Sequence, residues 1–119
     1  MTGRRHGRHD WLGLTPEVER FGPILVDRIA GALGEPAGDL GEERIRALIR
    51  TGDAAAWLAY LAALTALVER GRDAGVAEPE RGILAGILRD QYRLAPGVLR
   101  LGPEDEDRSS RIEEMLRTP

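Results

Sequence analysis

Asp53-Ala-Ala-Ala-Trp-Leu-Ala-Tyr-Leu-Ala-Ala-Leu-Thr-Ala-Leu-Val-Glu-Arg-Gly-Arg72 decides how the chain must fold. From Ala54 to Val68 it carries no charged residue. Alanine and leucine dominate it, both strong helix formers, and Asp53 is a side chain suited to accept the first free backbone amides of a helix. A helix that is apolar nearly all round is either the central member of a bundle or part of a seam between subunits. Trp57, Leu58, Tyr60, Leu61 and Leu64 are therefore candidate core or interaction residues. Burial of one such large side chain stabilises by about 1.5 to 3 kcal/mol. The small alanines between them allow close approach by neighbouring helices.

Working outward, Gly52 ends a short amphipathic segment, residues 42–51, with Ile45, Leu48 and Ile49 on one side and arginines on the other. Upstream, Thr15-Pro16-Glu17 reads as a helix start, with an N-cap, a proline at the first helical position and an acid in the first turn. Val18, Phe21, Leu25, Ile29 and Leu33 recur at three- and four-residue spacing, the period of one helix face. Gly22-Pro23 predicts a kink or a break there, because Pro23 cannot donate to the Glu19 carbonyl. Downstream, Glu80 opens a helix whose expected stripe is Ile83, Leu84, Ile87, Leu88 and Tyr92, closed by Pro96-Gly97. Gly82 and Gly86 share a face and predict a close helix contact. Ser110-x-x-Glu113 has the form of a capping box and predicts a last short helix. No segment alternates with period two, so the expected fold is an all-α bundle of four to five helices, in one domain over residues 14–119.

Residues 1–13 form a Gly, Arg and His arm without helical period, expected to be mobile or ordered by a partner. Its Arg4, Arg5 and Arg8 are candidate phosphate contacts. Opposing that use is a formal net charge of −3. Pairing of these arginines with the 104–107 acids is an equal alternative. His6, His9 and Asp10 fall short of a metal site, since glycines separate them in a solvated arm. Trp11-Leu12-Gly13 shares the letters of the Trp-x-Gly signature of a family of small secreted helical hairpins. It covers three residues and precedes the first helix instead of joining two, so it carries no assignment.

Composition excludes several kinds of chemistry. The 119 residues contain no cysteine, and all 17 basic residues are arginine, so disulfides, thiolate nucleophiles, thiolate zinc sites and lysine Schiff bases are ruled out. The absence of lysine and asparagine beside abundant alanine, glycine and leucine is the mark of a GC-rich coding sequence. The carboxylate pairs Glu42/Glu43, Glu78/Glu80 and Glu113/Glu114 lie at helix starts or on polar faces, and Ser109 and Ser110 have no histidine near them in sequence. The helix–turn–helix spacing from Ile45 to Leu61 lacks base-reading side chains, because the second helix begins Ala-Ala-Ala-Trp-Leu. The expectation is a non-enzymatic, cofactor-free interaction subunit or adaptor that uses apolar helix surface and binds a protein partner or its own copy. Its expected setting is cytoplasmic, without a signal or membrane segment. The alternatives are a nucleic-acid accessory protein using the arm, and a small-ligand domain with a pocket near Trp57, Tyr60 and Tyr92.

Overall fold

The computed structural model describes residues 15–117, and they form five α-helices without a strand among them. In chain order these are α1 (Pro16–Ala32), α2 (Glu42–Thr51), α3 (Ala54–Ala74), α4 (Glu80–Leu94) and α5 (Pro103–Arg117), with 3₁₀ turns at Gly38–Leu40 and Ala95–Gly97. The bundle is the expected all-α class. The arm, with Arg4, Arg5, Arg8, His6, His9 and Trp11, lies outside the described residues apart from its junction at Thr15.

α3 is the central element. The Asp53 side chain accepts from the Ala56 amide at 3.1 Å, and Gly75 closes the helix in the left-handed region that an L side chain enters at a cost. Trp57, Leu61, Leu64, Leu67 and Val68 are buried along it, and α1, α4 and α5 pack around it. The surrounding helices contribute Val18, Leu25, Val26 and Ile29 from α1, Ile45 and Leu48 from α2, Leu84, Leu88 and Tyr92 from α4, and Ile112 from α5. The core is one contiguous cluster.

Four local expectations need correction. α1 runs through Pro23 as one helix, so the expected break does not occur. Glu19 is exposed, so its freed carbonyl can meet water. Gly22 is buried, with Val18 Cγ1 at 3.4 Å and Ile45 Cδ1 of α2 at 3.5 Å from where its Cβ would stand, so this side of α1 packs against α2. α5 starts at Pro103, not at Ser110, which sits in mid-helix. Pro103 at the first helical position and Glu104, Asp105 and Glu106 in the first turn supply the start, and Asp105 Oδ2 accepts from the Gly102 amide at 2.9 Å. Gly82 and Gly86 do not mark a close contact, since a Cβ at either would meet nothing within 4 Å. Thr15 stands where the cap was expected, but its side chain makes no capping hydrogen bond, and its carbonyl accepts from the Glu19 amide at 2.7 Å.

Candidate interaction surface

The residues expected to act together separate into two groups. Trp57, Tyr60, Leu61, Leu64, Ile87 and Tyr92 are buried, and Leu58 is half-buried against the core. Ile83 is 51% exposed and does not belong to the buried stripe of α4, which is Leu84, Ala85, Ile87, Leu88, Gln91 and Tyr92. The apolar excess of α3 is therefore spent on the core, and the apolar surface that remains lies elsewhere.

The aromatic trio that would have lined a ligand pocket is packed instead. Trp57 and Tyr60 have ring centroids 5.8 Å apart, and the Tyr60 hydroxyl donates to the Leu40 carbonyl at 2.7 Å, fastening the 3₁₀ turn to α3. The Thr65 hydroxyl donates to the Leu61 carbonyl at 2.8 Å, which leaves its oxygen to accept from the Tyr92 hydroxyl at 3.1 Å. Burial pushes both phenols above their ordinary range, with Arg44 opposing at Tyr60 and the Thr65 hydrogen bond opposing at Tyr92. Surface hollows exist, including one of about 350 Å³ bordered by Val68, Arg72, Ala85 and Met115. It does not reach the aromatic trio, and the smaller hollow of about 230 Å³ that Tyr60 borders is shared with Asp39, Leu40 and Arg44 and reaches neither Trp57 nor Tyr92.

Five of the six candidate carboxylates, all but Glu43, are held by an arginine. Glu42 pairs with Arg46 at 2.5 Å, Glu78 with Arg81 at 2.6 Å, Glu80 with Arg28 at 3.6 Å and Glu114 with Arg117 at 2.9 Å. Glu113 takes a two-pronged contact from Arg93 at 2.9 and 3.0 Å, and this hydrogen bonding holds its carboxyl below the usual range. Arg111 joins Glu69 at 2.7 Å and also Asp107, linking α5 to α3. Among the described residues no group of three or more metal-ligating side chains comes together.

Five large apolar side chains remain exposed. Phe21 is 42% exposed, Ile24 58%, Leu94 57% and Val98 42%, in addition to Ile83. Four of these five share one flank of the bundle. Arg28, near the end of α1, pairs with Glu80 at the start of α4, and the two helices pack side by side. An end that meets a start along such a contact makes the pair antiparallel. Phe21, Ile24 and Arg28 follow three- and four-residue steps on α1, while Glu80, Ile83, Ile87 and Leu94 follow steps of three, four and seven on α4. Each row therefore occupies one helix face, and the Arg28–Glu80 pair sets the two faces side by side. Phe21 and Ile87 each lie seven residues from that pair, which places them at the same height. Ile24 and Ile83 are offset from it by four and three residues. The result is an apolar seam along the α1–α4 groove, with Arg20 5.7 Å over the Phe21 ring at one edge. Sequence reading put Phe21 and Ile83 on buried stripes; the signal that separates them is the Leu25/Val26 and Leu84/Ala85 pairs, which place the buried centre of each helix away from them.

No protein-family model, curated protein or solved structure matches the chain. Among the described residues no helix is long and apolar enough to cross a membrane.

Proposed function

We propose that this chain is a non-enzymatic interaction subunit or adaptor, cytoplasmic in setting, which binds an apolar helical segment of a protein partner in the α1–α4 groove. The observation that carries the reading is the seam of Phe21, Ile24, Ile83 and Leu94, large apolar side chains left 42–58% exposed on one flank while the core beneath is fully packed. Contiguous exposed apolar surface with a polar rim is characteristic of association sites. Two antiparallel helices offer a partner helix a groove into which its ridges fit. The pairing of five of the six candidate carboxylates with arginines supports a role without catalysis. The net charge of −3 disfavours attraction to phosphate.

The test compares affinity purification and mass spectrometry of the wild-type chain with the Ile24→Glu, Ile83→Glu double variant. Both side chains are more than half exposed, so the thermal midpoint should stay near that of wild type. The captured partner should be lost from the variant. Capture from wild type should persist at high salt, because apolar association is not screened. A partner retained equally by both chains would overturn the reading. So would micromolar binding of duplex or single-stranded oligonucleotides at physiological salt that Arg4→Ala, Arg5→Ala and Arg8→Ala abolish, which would put function in the arm.

A further inference from the structure

We infer that the helix this flank receives is α1 of a second copy of the chain, so that two copies pair through the same surface with their α1 helices antiparallel. The inference rests on the reading of that flank as an apolar association surface, and it names the occupant. What points to a copy of this chain is the order of charges along α1, and the size of the flank sets how tightly two copies hold.

Glu17, Arg20, Phe21, Ile24, Asp27 and Arg28 follow three- and four-residue steps along α1, and all six are exposed. They therefore share the outward face of the helix. The two apolar side chains stand at the centre of this face, and its charges reverse from one end to the other: Glu17 and then Arg20 before the centre, Asp27 and then Arg28 after it. When the helix is laid antiparallel on a copy of itself about the midpoint between Gly22 and Pro23, Phe21 of one copy stands opposite Ile24 of the other, and Glu17 opposite Arg28. Arg20 and Asp27 come within two residues of the same height, about 3 Å of rise, which an arginine side chain spans. Every contact occurs twice, as a two-fold interface requires. A parallel pairing would set Glu17 on Glu17 and Arg28 on Arg28. A foreign helix would ask for no such order of signs.

Within its own chain this charge has little to hold. No ion pair among the described residues engages Glu17 or Asp27, Arg20 lies over the Phe21 ring, and Arg28 reaches Glu80 at 3.6 Å with its side chain 67% exposed. The Arg28–Glu80 register puts the midpoint of α1 level with Ala85 and Gly86 of α4. Ile83 is then about 4 Å in height from the two-fold axis, where the α4 helices of the two copies add it to the contact.

The 17 residues of α1 make a face about 25 Å long, and two helices side by side are about 20 Å across. The flank thus offers about 500 Å² from each copy, about 1,000 Å² between them, which is the lower edge of specific interfaces. A contact of that size gives a reversible dimer of micromolar strength.

Sedimentation velocity of the full-length chain, from low to high micromolar concentration, should show the mass rising from the monomer's 13.0 kDa toward twice that value. Glu17→Arg makes both ends of the face positive, and Arg28→Glu makes both negative. Each variant alone should dimerise about tenfold more weakly than wild type, and an equimolar mixture of the two should recover the dimer as the mixed species. Both side chains are exposed, so the thermal midpoint of each variant at low concentration should stay near that of wild type. A wild-type chain that keeps the monomer mass at high micromolar concentration would overturn the inference. So would a dimer that both charge reversals leave unchanged, or a mixture that dimerises no better than its components. The two proposals fail separately. A chain that stays monomeric, but loses a captured partner through Ile24→Glu with Ile83→Glu, would refute the second copy alone. A charge-dependent dimer whose captured partner is retained by that double variant would refute only the placing of that partner in the groove.

Discussion

α3 and the α1–α4 flank are both rich in large apolar side chains, yet one is closed off and the other stays open. α3 has no charged residue between Ala54 and Val68, so no arrangement of its neighbours could give it a solvated face of ordinary polarity, and it becomes the axis of the bundle. α1 and α4 are amphipathic and turn their best-packed rows inward: Leu25, Val26 and Ile29 on one, Leu84, Leu88 and Tyr92 on the other. Phe21, Ile24, Ile83 and Leu94 are then left on the side where the two helices meet each other but no third helix covers them. Apolar density along a sequence therefore locates the core better than it locates an interface. The interface candidates are the apolar residues that fall off the edge of a buried row.

The strongest way to break the comparison is to remove a side chain from its closed half. Trp57→Ala deletes the largest fully buried ring on the central helix, and the loss of transfer energy together with the cavity left behind should cost about 3 to 5 kcal/mol. Against the usual margin of roughly 5 to 15 kcal/mol this leaves a barely folded chain. Urea or thermal denaturation near the wild-type midpoint would mean that α3 is not the axis. Tyr60→Phe should cost less, about 1 kcal/mol, by leaving the Leu40 carbonyl without its donor.

The two buried phenols also give the closed half a pH signature. Burial raises the folded-state values of Tyr60 and Tyr92, so both phenols are neutral in the folded and unfolded chain below pH about 10. As pH rises past that point the unfolded chain releases their protons first, and stability falls. Urea midpoints at pH about 8 and about 11 should differ for wild type, and the Tyr60→Phe, Tyr92→Phe pair should narrow the difference. An unchanged alkaline loss would place its origin elsewhere.

How much of this could be read from sequence depended on whether the deciding interaction was local. Asp53 and Gly52 bracket α2 and α3 by cap chemistry that needs only neighbouring residues, and both ends fell where that chemistry put them. Pro23 carries an equally clear local signal, yet α1 continues through it, beside a Gly22 packed on Ile45 of α2, a contact invisible along the chain. The start of α5 was legible in Pro103 and the acids after it, but Ser110-x-x-Glu113 imitated a start seven residues later. The expected stripe on α4 included Ile83 because a period of 3.6 residues does not tell the centre of an apolar face from its margin. That centre is fixed by where α1, α3 and α5 sit, and so the candidate surface became visible only once the helices were in place.

The smallest expected effects lie at two positions where spacing suggested tightness and the fold shows room. If Gly82 and Gly86 let a neighbouring helix approach, as their four-residue spacing implies, a methyl group at either would clash, and Gly→Ala would destabilise. Their Cβ positions meet nothing within 4 Å, so no neighbour opposes the substitution. What remains is backbone entropy: glycine in a helix interior is less favourable than alanine by about 0.8 to 1.0 kcal/mol. Both positions lie inside α4, so Gly82→Ala and Gly86→Ala should each stabilise by up to about 1 kcal/mol, with nearly additive shifts in the urea midpoint. Gly86 is the more informative of the two, because it is one turn beyond the exposed Ile83 and directly precedes the buried Ile87. A loss of stability there, with Gly82→Ala behaving as expected, would show that something is already packed against that part of α4.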